Sequence, residues 1–230
     1  MGNVFVADRD QNRVQKFTDN GVFLLDFGST GTSDGQFTGP NGVAVDADNN
    51  VFVADSSPRI QKFTNDGIFI LSWGSAGNGD GQFNFPRGLA TDQKGNVYVA
   101  DRNLHRMQIF TGDGIFVTKW GTFGTGIGEF NFPYAIRAGQ NGDIFVADSS
   151  NRRMQKFRFG PAGDLDDDGD VDNADWAAVA GCLNGPGVAV PPIGCDVLDF
   201  AGADVDDDGD VDLRDGAAFL ANFTGDVAPP

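Results

Sequence analysis

A mostly β chain of stacked four-stranded units, followed by a small α-helical module, is what three observations in the sequence predict. The string VFVAD at Val4–Asp8 returns as VFVAD at Val51, VYVAD at Val97 and IFVAD at Ile144, at intervals of 47, 46 and 47 residues. Between these strings lie five- to seven-residue runs of β-branched and aromatic residues, bounded by Gly, Asn, Asp or Pro, as strands are. Charge then divides the chain: residues 1–160 carry 15 Lys+Arg against 16 Asp+Glu, and residues 161–230 carry 1 against 17.

A period in the forties signals stacked sheets or blades. Each copy continues into a second apolar run, RVQKF at Arg13, RIQKF at Arg59, RMQIF at Arg106 and RMQKF at Arg153. In the first three copies GVFLLDFG, GIFILSWG and GIFVTKWG follow, then a Gly-rich loop ending DGQF, DGQF or GEF. A Pro-started run comes next: PNGVAVD from Pro40, PRGLATD from Pro86 and PYAIRAG from Pro133. Four strands per period make a propeller blade.

The string P-x-G-(V/L)-A-x-D, (V/I)-(F/Y)-V-A-D, R-(V/I/M)-Q-K-F, G-(V/I)-F resembles the NHL repeat across nearly all of residues 1–159. The resemblance implies a β-propeller that binds protein, nucleic acid or small ligands on one rim, most relatives lacking catalysis. The strands number three, four, four and three, so residues 1–160 are expected to form a partial propeller of three and a half blades. An open arc would leave apolar blade faces in water. Further blades and a signal peptide are therefore expected upstream, the alternative being a four-bladed ring with two three-stranded blades.

Repeated positions report architecture. Asp8 with Arg13, Asp55 with Arg59, Asp101 with Arg106 and Asp148 with Arg153 flank the turn between second and third strands. They are expected to be exposed ion pairs, each contributing under about 1 kcal/mol. Phe27, Trp73 and Trp120 are read as core between blades, and Gln36, Gln82 and Glu129 as one repeated turn position. Positions that break the template point to function: Asn41, Arg87 and Tyr134 follow the proline of the first strand, and Arg137 stands where Ala44 and Ala90 do. That strand lines a propeller's channel, so these four are the candidate ligand rim. An Arg with a Tyr nearby suits an anionic or sugar-like ligand; the alternative is simple variation of that blade.

Beyond the linker Gly160-Pro161-Ala162-Gly163, residues 161–230 carry two acidic dodecamers, DLDDDGDVDNAD from Asp164 and DVDDDGDVDLRD from Asp204. They agree at nine of twelve positions. Carboxylates at positions 1, 3, 5 and 12 with Gly at 6 wrap hard oxygen ligands around Ca²⁺. In the first loop these are Asp164, Asp166, Asp168 and Asp175, with Asp170 offering its carbonyl and Asp172 acting through a water. In the second they are Asp204, Asp206, Asp208 and Asp215, with Asp210 and Asp212 in the corresponding roles. The alternative, an acidic solvated tail, would not keep Gly169, Gly209, Val171 and Val211 at fixed offsets. Trp176, Val179 and Leu183, then Phe219, Leu220 and Phe223, fall on one face of a short helix after each loop.

Paired loops of this kind, each followed by one short helix, resemble a dockerin type I domain over about residues 161–226. The resemblance implies two Ca²⁺ and a cohesin-like or cell-surface partner gripped at loop positions 10 and 11, here Asn173, Ala174, Leu213 and Arg214. The pairs differ between the two copies. Cys182 and Cys195, the only cysteines, stand between the loops. A disulfide there would add about 3 kcal/mol in the chain-entropy model; two buried free thiols are the alternative. A bridge and calcium loops both point to an extracytoplasmic setting.

Other function classes fare less well. One His, His105, lies in a peripheral turn and cannot assemble a His-dependent triad or metal cluster with channel residues. A near-neutral propeller beside an acidic tail does not suit nucleic acid, and no segment approaches the length of a membrane-spanning helix. The sequence therefore reads as a non-enzymatic, secreted or cell-surface binding and scaffolding protein. The alternative is a fragment of a secreted propeller lyase, hydrolase or carbohydrate-active enzyme, with the dockerin-like module as an anchoring appendage.

Overall fold

A computed structural model describes residues 2–139 and 142–158. Contacts divide the chain into one unit of Met1–Gly139 with Ile144–Phe157 and a second of Gln140–Asp143 with Arg158–Pro230. Nearly all described residues belong to the first, and the expected calcium loops and helices, with both cysteines, lie outside the described residues.

The repeats fold as antiparallel sheets in chain order. β1 (Asn3–Asp8), β2 (Arg13–Thr18) and β3 (Phe23–Phe27) form a three-stranded sheet. β4 (Pro40–Val45), β5 (Val51–Asp55), β6 (Arg59–Phe63) and β7 (Phe69–Trp73) form a four-stranded one. A short parallel pair, β8 (Ser75–Ala76) and β9 (Gln82–Phe83), spans the next connection. The second four-stranded sheet is β10 (Pro86–Thr91), β11 (Val97–Asp101), β12 (Arg106–Phe110) and β13 (Phe116–Trp120). β14 (Pro133–Ala138), β15 (Asp143–Asp148) and β16 (Arg153–Arg158) make the last. The result is propeller-like and mostly β, with strands where the repeat predicts them.

Period-two alternation gives each inner sheet two apolar faces, and each face packs on a neighbour. In β5, Val51 and Val53 join Phe5, Val14 and Phe27 of the first sheet in one buried cluster. Phe52 and Ala54, on the opposite face, join Leu89, Val97 and Val99 of the third sheet in another. Ala90, Tyr98 and Met107 meet Ile136, Ile144 and Val146 in a third. Burying each large side chain contributes roughly 1.5–3 kcal/mol. Trp73, Trp120 and Phe27 pack against these clusters, as expected of core between blades. Context decides burial: all five residues of VFVAD are buried in β5, whereas in the first sheet the same string leaves Val4 47% and Val6 43% exposed.

The Gly-rich connections are tied down by one aromatic each. Phe37, Phe83 and Phe130, the last residues of DGQF, DGQF and GEF, are fully buried. The repeated turn position is also confirmed: Gln36 Oε1 accepts from the Ser33 amide, Gln82 Oε1 from Gly79 and Glu129 Oε2 from Gly126.

Inner strands approach closely, and glycine permits it. A Cβ on Gly42 would collide with the Arg87 carbonyl oxygen, and one on Gly88 would sit 2.9 Å from the Cα of Ala135. Overlap with backbone cannot be relieved by a rotamer change.

Candidate functional site

The Asp-Arg pairs at the turn between second and third strands do more than pin a hairpin. Ion pairs form at three of the four: Arg13 with Asp8 at 3.1 Å, Arg59 with Asp55 at 3.5 Å and Arg153 with Asp148 at 2.8 Å. Exposure, however, differs from the expectation, since Asp55, Asp101 and Asp148 are fully buried. Their carboxylates accept backbone N–H groups of the segment entering the same blade: Thr38 on Asp55, Asn84 and Phe85 on Asp101, Asn131 on Asp148. A buried carboxylate needs such donors to offset its lost hydration.

The arginine forks also reach the Gly-rich connection. Arg106 donates to the carbonyls of Asn78, Gly79 and Gln82, and Arg153 to those of Thr125, Gly126 and Glu129. Two residues on, buried Gln108 donates to the Gln82 carbonyl at 2.8 Å and accepts from the Gly81 amide at 3.0 Å. The R-x-Q motif is thus the clamp that fixes each connection between blades. Asp101 and Asp148 titrate in opposite directions. Burial raises Asp101 above the usual carboxylate range despite the Asn84 and Phe85 amides and Arg106. At Asp148 burial also raises, but the Asn131 amide, Asn151 and Arg153 together outweigh it and lower the value.

Each first strand starts with a register shift, between Pro40 and Gly42, Pro86 and Gly88, and Pro133 and Ala135. The residue skipped is Asn41, Arg87 or Tyr134, the same three that break the template. A bulge re-aims its extra residue away from the ladder, so three successive blades present them on one rim.

The structure links the three. Asn41 Nδ2 donates to Ser56 Oγ at 3.1 Å and to the Pro86 carbonyl at 3.5 Å. The Arg87 guanidinium lies 3.6 Å from the ring centroid of Tyr134 and donates to its hydroxyl. Stacking on an aromatic face holds a guanidinium flat while leaving edge donors for a ligand. Arg137 is placed elsewhere. In register it faces Phe145, as Ala44 faces Phe52 and Ala90 faces Tyr98. It therefore belongs to a blade face rather than to the row of bulges, and it is exposed.

Sequence reasoning missed the turn residues beside this row. Arg102 lies over the ring of Phe132 at 4.5 Å, and Arg9 approaches Gly39, whose carbonyl accepts Ser56 Oγ at 2.9 Å. These residues occupy turns that vary between copies, where departure from a template carries no signal. His105 sits nearby in a left-handed conformation, φ 54°. Its Nδ1 accepts the Phe132 amide at 3.0 Å, and burial, then Arg102, lowers its pKa. The hydrogen bond requires an unprotonated Nδ1, so this His serves the turn's architecture.

The expected calcium ligands from Asp164 to Asp175 and from Asp204 to Asp215, Cys182, Cys195, and the expected partner positions Asn173, Ala174, Leu213 and Arg214 lie outside the described residues. Among the described residues no group of three His, Cys, Asp or Glu is placed to hold a metal, and no helix is long and apolar enough to cross a membrane.

The NHL repeat family model matches residues 37–63 and 83–110. Among solved structures, a protein of unknown function from Bacteroides thetaiotaomicron is similar at 22% identity, over 68% of this chain and 44% of that one, with a TM-score of 0.55. Virginiamycin B lyase from Staphylococcus aureus is similar at 16% identity, over 69% of this chain and 52% of that one, with a TM-score of 0.48. The chain spans about half the length of these structures or less. A search of curated proteins finds no match. The chain carries NHL repeats in a β-propeller-like fold; at these identities the structural likeness speaks to the fold alone.

Proposed function

We propose that this chain is a non-enzymatic extracytoplasmic binding protein, whose propeller rim takes a protein or carbohydrate-like ligand and whose residues 161–230 form a calcium-dependent, dockerin-like attachment module. One observation supports the binding role most: the residues that depart from the repeat, Asn41, Arg87 and Tyr134, are the bulge residues of adjacent inner strands and stand linked on one rim. A template varied only by drift has no reason to concentrate polar and aromatic changes at the one re-aimed position of each blade. The attachment role rests on the twin acidic loops of the sequence.

Binding by immobilised full-length chain to panels of soluble oligosaccharides and extracellular proteins tests the rim. Tyr134→Ala should abolish capture of the ligand found while leaving the melting temperature unchanged. Capture that survives Tyr134→Ala and Asn41→Ala alike would place binding elsewhere.

A further inference from the structure

The rim has a donor excess that its own carboxylates do not satisfy. Arg87 and Arg102 direct the polar bonds they make at Tyr134 and Asn103, both neutral, and pair with no carboxylate among the described residues. Arg9 likewise makes no ion pair among them and is exposed. Buried Asp55 and Asp148 are held by Arg59 and Arg153, and Asp101 is occupied by two backbone amides. Their charge is spent inside the turns.

Three other features sit in the same row. Tyr134 is 46% exposed with Arg87 on one face, which leaves ring surface for a flat apolar patch. Asn41 Oδ1 is buried with no hydrogen-bond partner among the described residues, an acceptor the rim itself leaves unsatisfied. Ser56 Oγ, between Asn41 and the Gly39 carbonyl, continues the polar edge toward Arg9. An inorganic anion would meet the guanidiniums and use neither the ring nor the acceptor. A long polyanion calls for a continuous basic track, and residues 1–160 are near neutral, with 15 Lys+Arg against 16 Asp+Glu.

One ligand chemistry uses all of these: a carboxylate, hydroxyl donors and a C–H face on one ring. Resting on the rim reading above, we propose that the rim binds a short acidic oligosaccharide of the uronate class. The carboxylate lies on Arg87, with Arg9 or Arg102 as second cation, a sugar face stacks on Tyr134, and a hydroxyl donates to Asn41.

Calorimetry on the full-length chain at constant calcium tests this with three probes: trigalacturonate, its fully methyl-esterified form and a single-stranded oligothymidylate. The acid should bind and the ester should bind at least about tenfold more weakly, because a hydrogen bond to a charged group is worth roughly 1.5–3 kcal/mol. Arg87→Gln should weaken the acid by about the same factor and the ester by clearly less. Tyr134→Phe, which keeps the ring and removes the hydroxyl that Arg87 contacts, should retain most of the binding. Equal affinity for acid and ester, indifference of the acid to Arg87→Gln, preference for the oligothymidylate, or no binding at millimolar trigalacturonate would each overturn the uronate assignment. If the ester binds as well as the acid and both are lost in Tyr134→Ala, the rim reading survives and only the ligand class fails. If saccharide binding ignores Tyr134→Ala, both fail.

Discussion

Asp148 and Arg153 meet at 2.8 Å across a turn in which the carboxylate is fully buried and the guanidinium is 29% exposed. The same Asp accepts the Asn131 amide, so one side chain joins an ion pair to the backbone of the segment that enters its own blade.

That arrangement has a pH signature. Asp148 is lowered in the folded state, so its contribution is present above the unfolded carboxylate value of about 3.9 and is lost as pH falls through the folded value. Asp101 is raised and has the opposite sign: its ionisation penalises the folded state as pH rises through the unfolded and then the folded value. Asp148→Asn should cost about 1–3 kcal/mol at neutral pH, less than a fully buried pair because Arg153 reaches solvent. The cost should shrink in acid, whereas that of Asp101→Asn should not. Urea unfolding at neutral and acidic pH measures both.

Gln108 satisfies two backbone groups of a connection it does not belong to. Gln108→Ala strands the half-buried Gly81 amide and leaves the Gln82 carbonyl to Arg106 alone, and should destabilise by roughly 1–3 kcal/mol. Gln15, in the first sheet, is only half-buried, so Gln15→Ala should cost less than about 1 kcal/mol. Paired denaturation curves give the difference directly.

Gly42 is required by contact with Arg87 backbone rather than by an unusual turn. Gly42→Ala should therefore destabilise by about 1–3 kcal/mol, as overpacking does. Because the clash displaces the Arg87 backbone, the variant should also weaken any ligand held by Arg87. A neutral effect on thermal unfolding would contradict the close approach.

The strand order was legible in the sequence because four copies of one template hold it in register, and each apolar run has a single strand-like reading. The rim was half legible. Asn41, Arg87 and Tyr134 stood out as departures at one repeat position, but their common bulge is a property of register, invisible until Pro40, Pro86 and Pro133 pair opposite Asp55, Asp101 and Asp148. Arg137 shows the limit: its departure looks the same in sequence, yet period-two alternation puts it on a blade face. The burial of Asp55, Asp101 and Asp148 was not legible either, since Asp beside Arg in a turn reads as a surface pair until backbone amides from another segment are brought to it.

The twin acidic loops predict a stoichiometry. Calcium titration of the full-length chain should give about two ions per chain, and replacing Asp164 and Asp168 together by Ala should remove one and leave the other. No binding at millimolar calcium would contradict the module.

The central claim is that the bulge residues of adjacent blades form one binding rim, and the most direct measurement is ligand affinity for the full-length chain against Tyr134→Ala at matched melting temperature. The account predicts that binding is lost while folding is retained. Undiminished affinity in that variant would contradict it.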